Sequence, residues 1–303
     1  MRQGTVVILL SDKRSGSTLL ERELCSLPGV AHVDYTPHSY NETHYWVKAA
    51  CLLDAPSRLF ARERWPKSYG SKKDLRNSLE KFLIRNVPEF VVPAGDEELI
   101  FEGWDALCEH FAAPFFFEKS PQHPHHWAAL ELMLQWAEQT TKSVKFVCLV
   151  RNPMSVMYSA QELFRTNPWE RQYSWFEAYR NLLLFRELLG EGMFLVSRYE
   201  DLVSDPASEF KKICDFAGIS FDGASATAAH KKSLQKWQQD REFQLVLDDS
   251  VARLARYFGY SDDDLFNPNG NEQVRGGSLI PWLGTKVHLM KGMAYDSYRR
   301  YFK

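Results

Sequence analysis

The sequence has no long apolar run. Its first, Thr5 to Leu10, gives way at once to Ser11-Asp12-Lys13-Arg14, and no later run approaches the roughly 18 residues of a membrane span. Six apolar residues are also too few for the core of a signal peptide. There is no surplus of charge: 37 Lys and Arg stand against 39 Asp and Glu, a net charge of −2, which argues against a protein built for non-specific nucleic-acid binding. The five cysteines (25, 51, 108, 148 and 214) are odd in number, scattered and without a C-x-x-C pair, so neither a disulfide framework nor a cysteine zinc site is expected. Cys148 and Cys214 lie in apolar runs and read as buried thiols. These absences together lead us to expect a cytoplasmic chain in a reducing compartment, with no membrane span and no nucleic-acid partner.

What is present is an ordinary globular composition, 45% hydrophobic and 25% charged over 303 residues. Short β-branched runs at Thr5–Leu10, Ala31–Tyr35, Pro114–Phe117, Val144–Val150 and Met193–Ser197 alternate with longer helical patterns. That alternation predicts an α/β fold with a central parallel sheet flanked by helices. Leu20, Leu24 and Leu27 share a helical face that Pro28-Gly29 closes. Asn152-Pro153 and Asp205-Pro206 are helix starts, and Gly218 is a helix stop after the stripe Phe210, Ile213, Cys214, Ala217. No linker divides the chain, so a single domain over 1–303 is expected. Residues 55–95 read as a substrate or lid insertion in a 5–220 core, and 258–303 as a closing C-terminal segment. The stretch Arg58–Arg85 carries nine Lys or Arg against three Asp or Glu, with Trp65 among them. It reads as a solvated amphipathic helix pair or as a lid over an acceptor.

The segment Ser11-Asp-Lys-Arg-Ser-Gly-Ser-Thr18 lies between the first strand and its helix, at the strand's carboxyl end, where parallel sheets bind ligands. Small residues let backbone N–H groups turn toward a phosphate. Lys13 and Arg14 add full charges, and Ser17 and Thr18 add hydroxyls. It is not a Walker A loop, because Ser11 holds the first glycine position and Ser17 the lysine position. Arg14-Ser15-Gly16-Ser17-Thr18-Leu19-Leu20 instead resembles the 5′-phosphosulfate loop of sulfotransferases that use 3′-phosphoadenosine 5′-phosphosulfate (PAPS).

Further segments resemble that family in the family's order. In Val150-Arg151-Asn-Pro-Met-Ser-Val-Met-Tyr-Ser159, an arginine ends a buried strand and serines recur one turn apart on the next helix. Such a fork suits a terminal phosphate, or equally a structural carboxylate. By the resemblance, Arg151 and Ser159 grip the nucleotide's 3′-phosphate, Tyr199 of Tyr-Glu-Asp-Leu lies near the adenine, and Arg275-Gly276-Gly277 closes over the same phosphate. The implied fold is the three-layer, P-loop-like sulfotransferase fold. The implied product is adenosine 3′,5′-bisphosphate, and no metal is required.

The third strand runs on as Phe117-Glu118-Lys119-Ser120-Pro121. A carboxylate at the end of a buried strand is partly desolvated, which would raise its pKa toward that of a useful base. Ser120-Pro121 reads as the next helix start, with Trp127, Leu130 and Leu134 on its apolar face. Glu-Lys-Ser-Pro resembles the base segment of heparan-sulfate-type sulfotransferases, which makes Glu118 the expected base. His123 is a second candidate, and a structural pair of Glu118 with Lys119 or an arginine is the competing reading. His123, His125 and His126 show no metal-ligand spacing and are expected to solvate a helix N-terminus. Arg14, with Lys13 beside it, would neutralise charge on the leaving phosphate bridge. Tyr35, His38 and Trp65 are candidate acceptor contacts, and the 14% aromatic content suits a sugar or a lipid-like acceptor. The resemblance thus implies sulfuryl transfer to a hydroxyl, or an amine, of a carbohydrate or other small molecule. An ATP-dependent phosphotransferase and a catalytically silent nucleotide-binding scaffold are the alternatives.

Overall fold

The computed structural model describes residues 4–55, 70–112, 114–222 and 234–269. Trp65, Arg275, Gly276 and Gly277 lie outside the described residues. The chain divides into two compact units, one of residues 1–150 and 178–229, the other of 151–177 and 230–303.

The first unit is built on five parallel strands: β1 (Thr5–Ser11), β2 (Val30–Ala31), β3 (Phe115–Lys119), β4 (Ser143–Val150) and β5 (Phe194–Arg198), in the order β2-β3-β1-β4-β5. Val6 to Leu10 of β1 are fully buried, which is why that strand reads as a continuous apolar run rather than an alternating one. β1 lies between β3 and β4, so the chain's crossovers diverge on either side of it. In such a sheet ligands bind outside the carboxyl ends of the strands at that divergence. The register sets Glu118 beside Ile8 and Lys119 beside Leu9, close to the point where β1 ends.

The helices of this unit are α1 (Ser17–Cys25), α2 (Tyr45–Leu53), α3 (Lys72–Asn86), α4 (Asp96–Phe111), α5 (Trp127–Gln139), α8 (Tyr199–Ser204) and α9 (Pro206–Ala217). Leu20, Leu24 and Leu27 are buried, and Gly29 adopts φ 80 beyond α1. Asp205 caps α9 through Ser208 N, and Gly218 ends it at φ 77. α3 turns Leu75, Leu79, Phe82 and Leu83 inward and packs on α2 and α4. Cys51, Cys108, Cys148 and Cys214 are buried.

Two expectations need correction. The second strand keeps only two residues, because the Asn86 amide takes over Tyr35: its Oδ1 accepts the Tyr35 N–H at 2.9 Å and its Nδ2 donates to the Tyr35 carbonyl at 2.9 Å. The helix expected at Ser120 begins at Trp127, after a 3-10 turn over His123–His125, because the Ser120 hydroxyl is committed to other groups. Part of the aromatic content builds the core. Tyr45, Trp46, Trp104, Trp136 and Phe116 pack together between α2, α4, α5 and β3, with Trp46 and Trp104 centroids 5.1 Å apart.

The second unit holds α6 (Pro153–Phe164), α10 (Lys236–Gln239), α11 (Asp249–Tyr257) and the first part of α7 (Pro168–Leu188), whose later residues belong to the first unit. Asn152 caps α6, its Oδ1 accepting from Met154 N and Ser155 N, with Pro153 in the first turn. The Asn267 side-chain nitrogen lies within 2.8 to 3.0 Å of the carbonyls of Trp237, Asp240 and Phe243 and knits the irregular segment together. No helix among the described residues is long and apolar enough to cross a membrane.

Candidate active site

The loop joining β1 to α1 turns on two left-handed residues, Arg14 (φ 71) and Gly16 (φ 94). A Cβ at Gly16 would collide with the Tyr199 ring, so only glycine permits this approach. No side chain caps α1, and the N–H groups of Ser17 and Thr18 precede any carbonyl of their own helix. Lys13, Arg14 and Thr18 are exposed, whereas Ser15 and Ser17 are buried. Leu19 N donates to Gly16 O. The Ser15 hydroxyl bonds Tyr179 at 2.9 Å rather than facing solvent. Lys119, buried to 1% exposure, joins this end of the sheet to α1. Its Nζ lies 3.2 Å from Thr18 Oγ1 and 3.2 Å from Glu21 Oε2.

Beside this loop, Glu118 is closed from solvent at 2% exposure. Its Oε1 accepts from Thr43 Oγ1 at 2.6 Å, Ser120 Oγ at 2.8 Å and His123 Nε2 at 3.3 Å, while its buried Oε2 makes no hydrogen bond. The expected upward pKa shift is therefore corrected. Burial pushes the carboxyl up, but its interaction with His123 and the bonds from His123, Thr43 and Ser120 outweigh it and hold the group below its ordinary value. Lys119 belongs to Glu21 and is not the partner of Glu118. Two of the three histidines do not solvate a helix end: His123 is fully buried on Glu118, and His125 Nε2 lies 3.0 Å from the buried Asp12 Oδ1, while His126 stands at the start of α5.

A third segment, 38–44, lies over the base through Thr43. The Ser120 hydroxyl, having given its proton to Glu118, accepts the N–H groups of Thr43 and His44. Tyr40, Asn41 and His44 all hold positive φ, 58, 54 and 53, without a glycine among them. His38 stacks on His44 with centroids 3.8 Å apart. Burial pushes both imidazoles down to about 2, so both are neutral. Tyr35 packs under Arg85, whose guanidinium lies 4.4 Å from the ring centroid. On α2, burial draws Lys48 down to about 8, and its Nζ bonds Ser78 Oγ at 3.2 Å.

In the second unit, Arg151 is buried at 8% exposure and its carbonyl accepts from Trp175 Nε1 at 3.1 Å. The Ser155 hydroxyl donates to Leu234 O, while Ser159, one turn on, is half-buried. Among the described residues no group of three or more His, Cys, Asp or Glu is placed to hold a metal ion.

A glycine-bearing loop and a hydrogen-bonded carboxylate stand at the carboxyl ends of adjacent parallel strands of a P-loop-like α/β fold. The profile of the sulfotransferase family matches residues 7–223, and the chain belongs to that family. In three dimensions it is similar to the sulfotransferase domain of the Synechococcus PCC 7002 olefin synthase, with a TM-score of 0.57 and 22% identity over 86% of this chain and 96% of that one. It is similar also to the sulfotransferase domain from the curacin biosynthetic pathway, with a TM-score of 0.56 and 21% identity over 86% and 99%. No curated protein sequence matches it. Sequence reasoning missed the roles of Asp12, Thr43, Ser120 and Tyr179, each of which also bonds a residue dozens of positions away and so leaves no local pattern.

Proposed function

We propose that this chain transfers a sulfuryl group from PAPS to a hydroxyl, or less readily an amine, of a carbohydrate or other small-molecule acceptor, with Glu118 as general base. The observation that carries this reading is the pairing of β1 with β3, which sets the anion loop and the Glu118 carboxylate at neighbouring strand ends. The loop fits a phosphosulfate: the open α1 N-terminus and the glycine cradle under Tyr199 offer N–H groups, with Lys13, Arg14 and the Ser17 and Thr18 hydroxyls around them. When bound, the donor supplies the activated sulfuryl group, and adenosine 3′,5′-bisphosphate leaves.

In this reading Lys13 and Arg14 neutralise charge developing on the leaving phosphate bridge, and no covalent intermediate is needed. Glu118 is ionised at neutral pH. Oε1 is committed to three donors, so Oε2 is the atom that takes the acceptor proton. His123 keeps the carboxylate charged before the acceptor attacks. Arg151 and Ser159 are assigned the 3′-phosphate and Tyr199 the region of the adenine, on the family resemblance. The Arg275-Gly276-Gly277 loop would close on the same phosphate. Tyr35, His38 and Trp65 are assigned to the acceptor side. Solution in the cytoplasm, without a membrane or nucleic-acid partner, is part of the same proposal.

The test is a labelled-donor assay against pooled metabolites and glycans, with Glu118→Gln as the control. We expect label transfer by the native chain, a loss of turnover of about 10²–10⁴ in the variant, and nearly unchanged affinity for adenosine 3′,5′-bisphosphate. Near-normal turnover in the variant would remove the base assignment. Competition by ATP but not by the bisphosphate would replace the donor.

A further inference from the structure

A carboxylate inside an anion-binding loop needs an explanation. Asp12 is the first residue after β1 and fully buried, where its charge opposes an incoming phosphosulfate at short range and in a weakly screened setting. Several of its contacts set geometry. Oδ1 accepts the N–H of Lys13 at 2.7 Å, which fixes the backbone at the start of the loop, and it also accepts from His125 Nε2 at 3.0 Å. The Asp12 carbonyl accepts the Ser15 N–H at 3.3 Å and so closes a turn over 12–15.

A second buried group holds both ends of that turn. The Tyr179 hydroxyl, fully buried on α7, gives its single proton to Leu149 O at 2.8 Å. It therefore accepts from Ser15 Oγ at 2.9 Å and from Asp12 N at 3.4 Å. Two residues further along α7, Asn181 Nδ2 donates to Pro124 O at 2.9 Å and fixes the short turn that presents His125. Arg14 sits inside the closed turn at φ 71, a conformation that a non-glycine residue holds only where its surroundings impose it.

Resting on the donor-binding reading above, we propose that Asp12, His125 and Tyr179 are positioning residues of the donor loop. Acting from its buried side, they close the 12–15 turn and thereby set the backbone of Arg14 and the entry into the α1 N-terminus. The loop gives up some electrostatic attraction for a fixed shape.

This assignment reverses the sign that charge alone would give. Removing a negative charge from an anion site should tighten binding, whereas removing a positioning group should weaken it. The experiment is calorimetry of adenosine 3′,5′-bisphosphate with the full chain, well below each variant's melting midpoint. We expect Asp12→Ala to bind about tenfold more weakly, and Asp12→Asn, which keeps an acceptor oxygen in place, to bind within about threefold of the native chain. Tyr179→Phe, which keeps the ring and loses both bonds to the loop, should also bind about tenfold more weakly. If Asp12→Ala does not fold, His125→Ala carries the same expectation, with His125→Gln restoring the donor. Equal or tighter binding by Asp12→Ala, or unchanged binding by Tyr179→Phe, overturns the assignment. A native chain that does not bind the bisphosphate removes the donor reading, and this inference with it. Native binding with unaltered variants removes this inference alone.

Discussion

The loop at 12–18, proposed above to hold the donor, follows β1, and the segment at 38–44 bonds the end of β3 through Glu118 and Ser120, yet the two are held in different ways. The donor loop uses a glycine where the chain must come closest, at Gly16 under Tyr199, and buried polar groups stitch it from beneath. The 38–44 segment bends through three left-handed non-glycine residues and is held by the Ser120 hydroxyl and a stack of two neutral histidines. A phosphate recognised through backbone N–H groups demands one invariant shape. The 38–44 segment, which has no such ligand to meet, can change shape with its neighbours. On this reading the first region belongs to a donor of constant chemistry, and the second is where an acceptor would be chosen.

Three substitutions break or sharpen the contrast. The largest effect is expected from Gly16→Ala, which combines a φ of 94 with a collision against Tyr199. Stability should fall by about 2–3 kcal/mol, and affinity for adenosine 3′,5′-bisphosphate on the order of 100-fold. Chemical denaturation and calorimetry measure the two, and a neutral variant would mean that the loop is not shaped by that contact. Next comes Thr43→Val. It removes one hydrogen bond to Glu118, should lower stability by about 1–3 kcal/mol, and should move the acid limb of the pH–rate profile to higher pH. An unmoved acid limb would separate Glu118 from the rate.

The smallest effect is read as a slope. His38 and His44 sit far below their ordinary value of 6.5 because the fold buries them neutral. Between pH 6.5 and about 2 the unfolded chain binds more protons than the folded one, so their stabilisation is full above 6.5 and declines as pH falls. His44→Asn removes one of these groups and suits the left-handed backbone at that position. The melting midpoint of the variant should fall less steeply between pH 7 and 5 than that of the native chain, and equal slopes would assign the acid sensitivity elsewhere.

Much of the fold was legible because it depends on local rules. The apolar run at Val6–Leu10, the caps at Asn152 and Asp205 and the stop at Gly218 each carry their reason within a few residues. The second strand and the helix after Ser120 were not. The Asn86 amide captured Tyr35 from 51 residues away, and the Ser120 hydroxyl was drawn to the 38–44 segment from 76. The rise expected for Glu118 failed partly for the same reason: burial is visible in an apolar strand, but one of the donors that offset it, Thr43, comes from 75 residues away.

By itself the sequence determined the parallel sheet, the loop that opens α1 and the family, because periodicity, capping and a short glycine-bearing motif are properties of adjacent residues. Only the tertiary structure decided the ionisation of Glu118, the pairing of His125 with Asp12 and the hold of Tyr179 on the loop. Those depend on which strand ends and helices come within about 3 Å of one another, and hydrogen bonds act at no greater range.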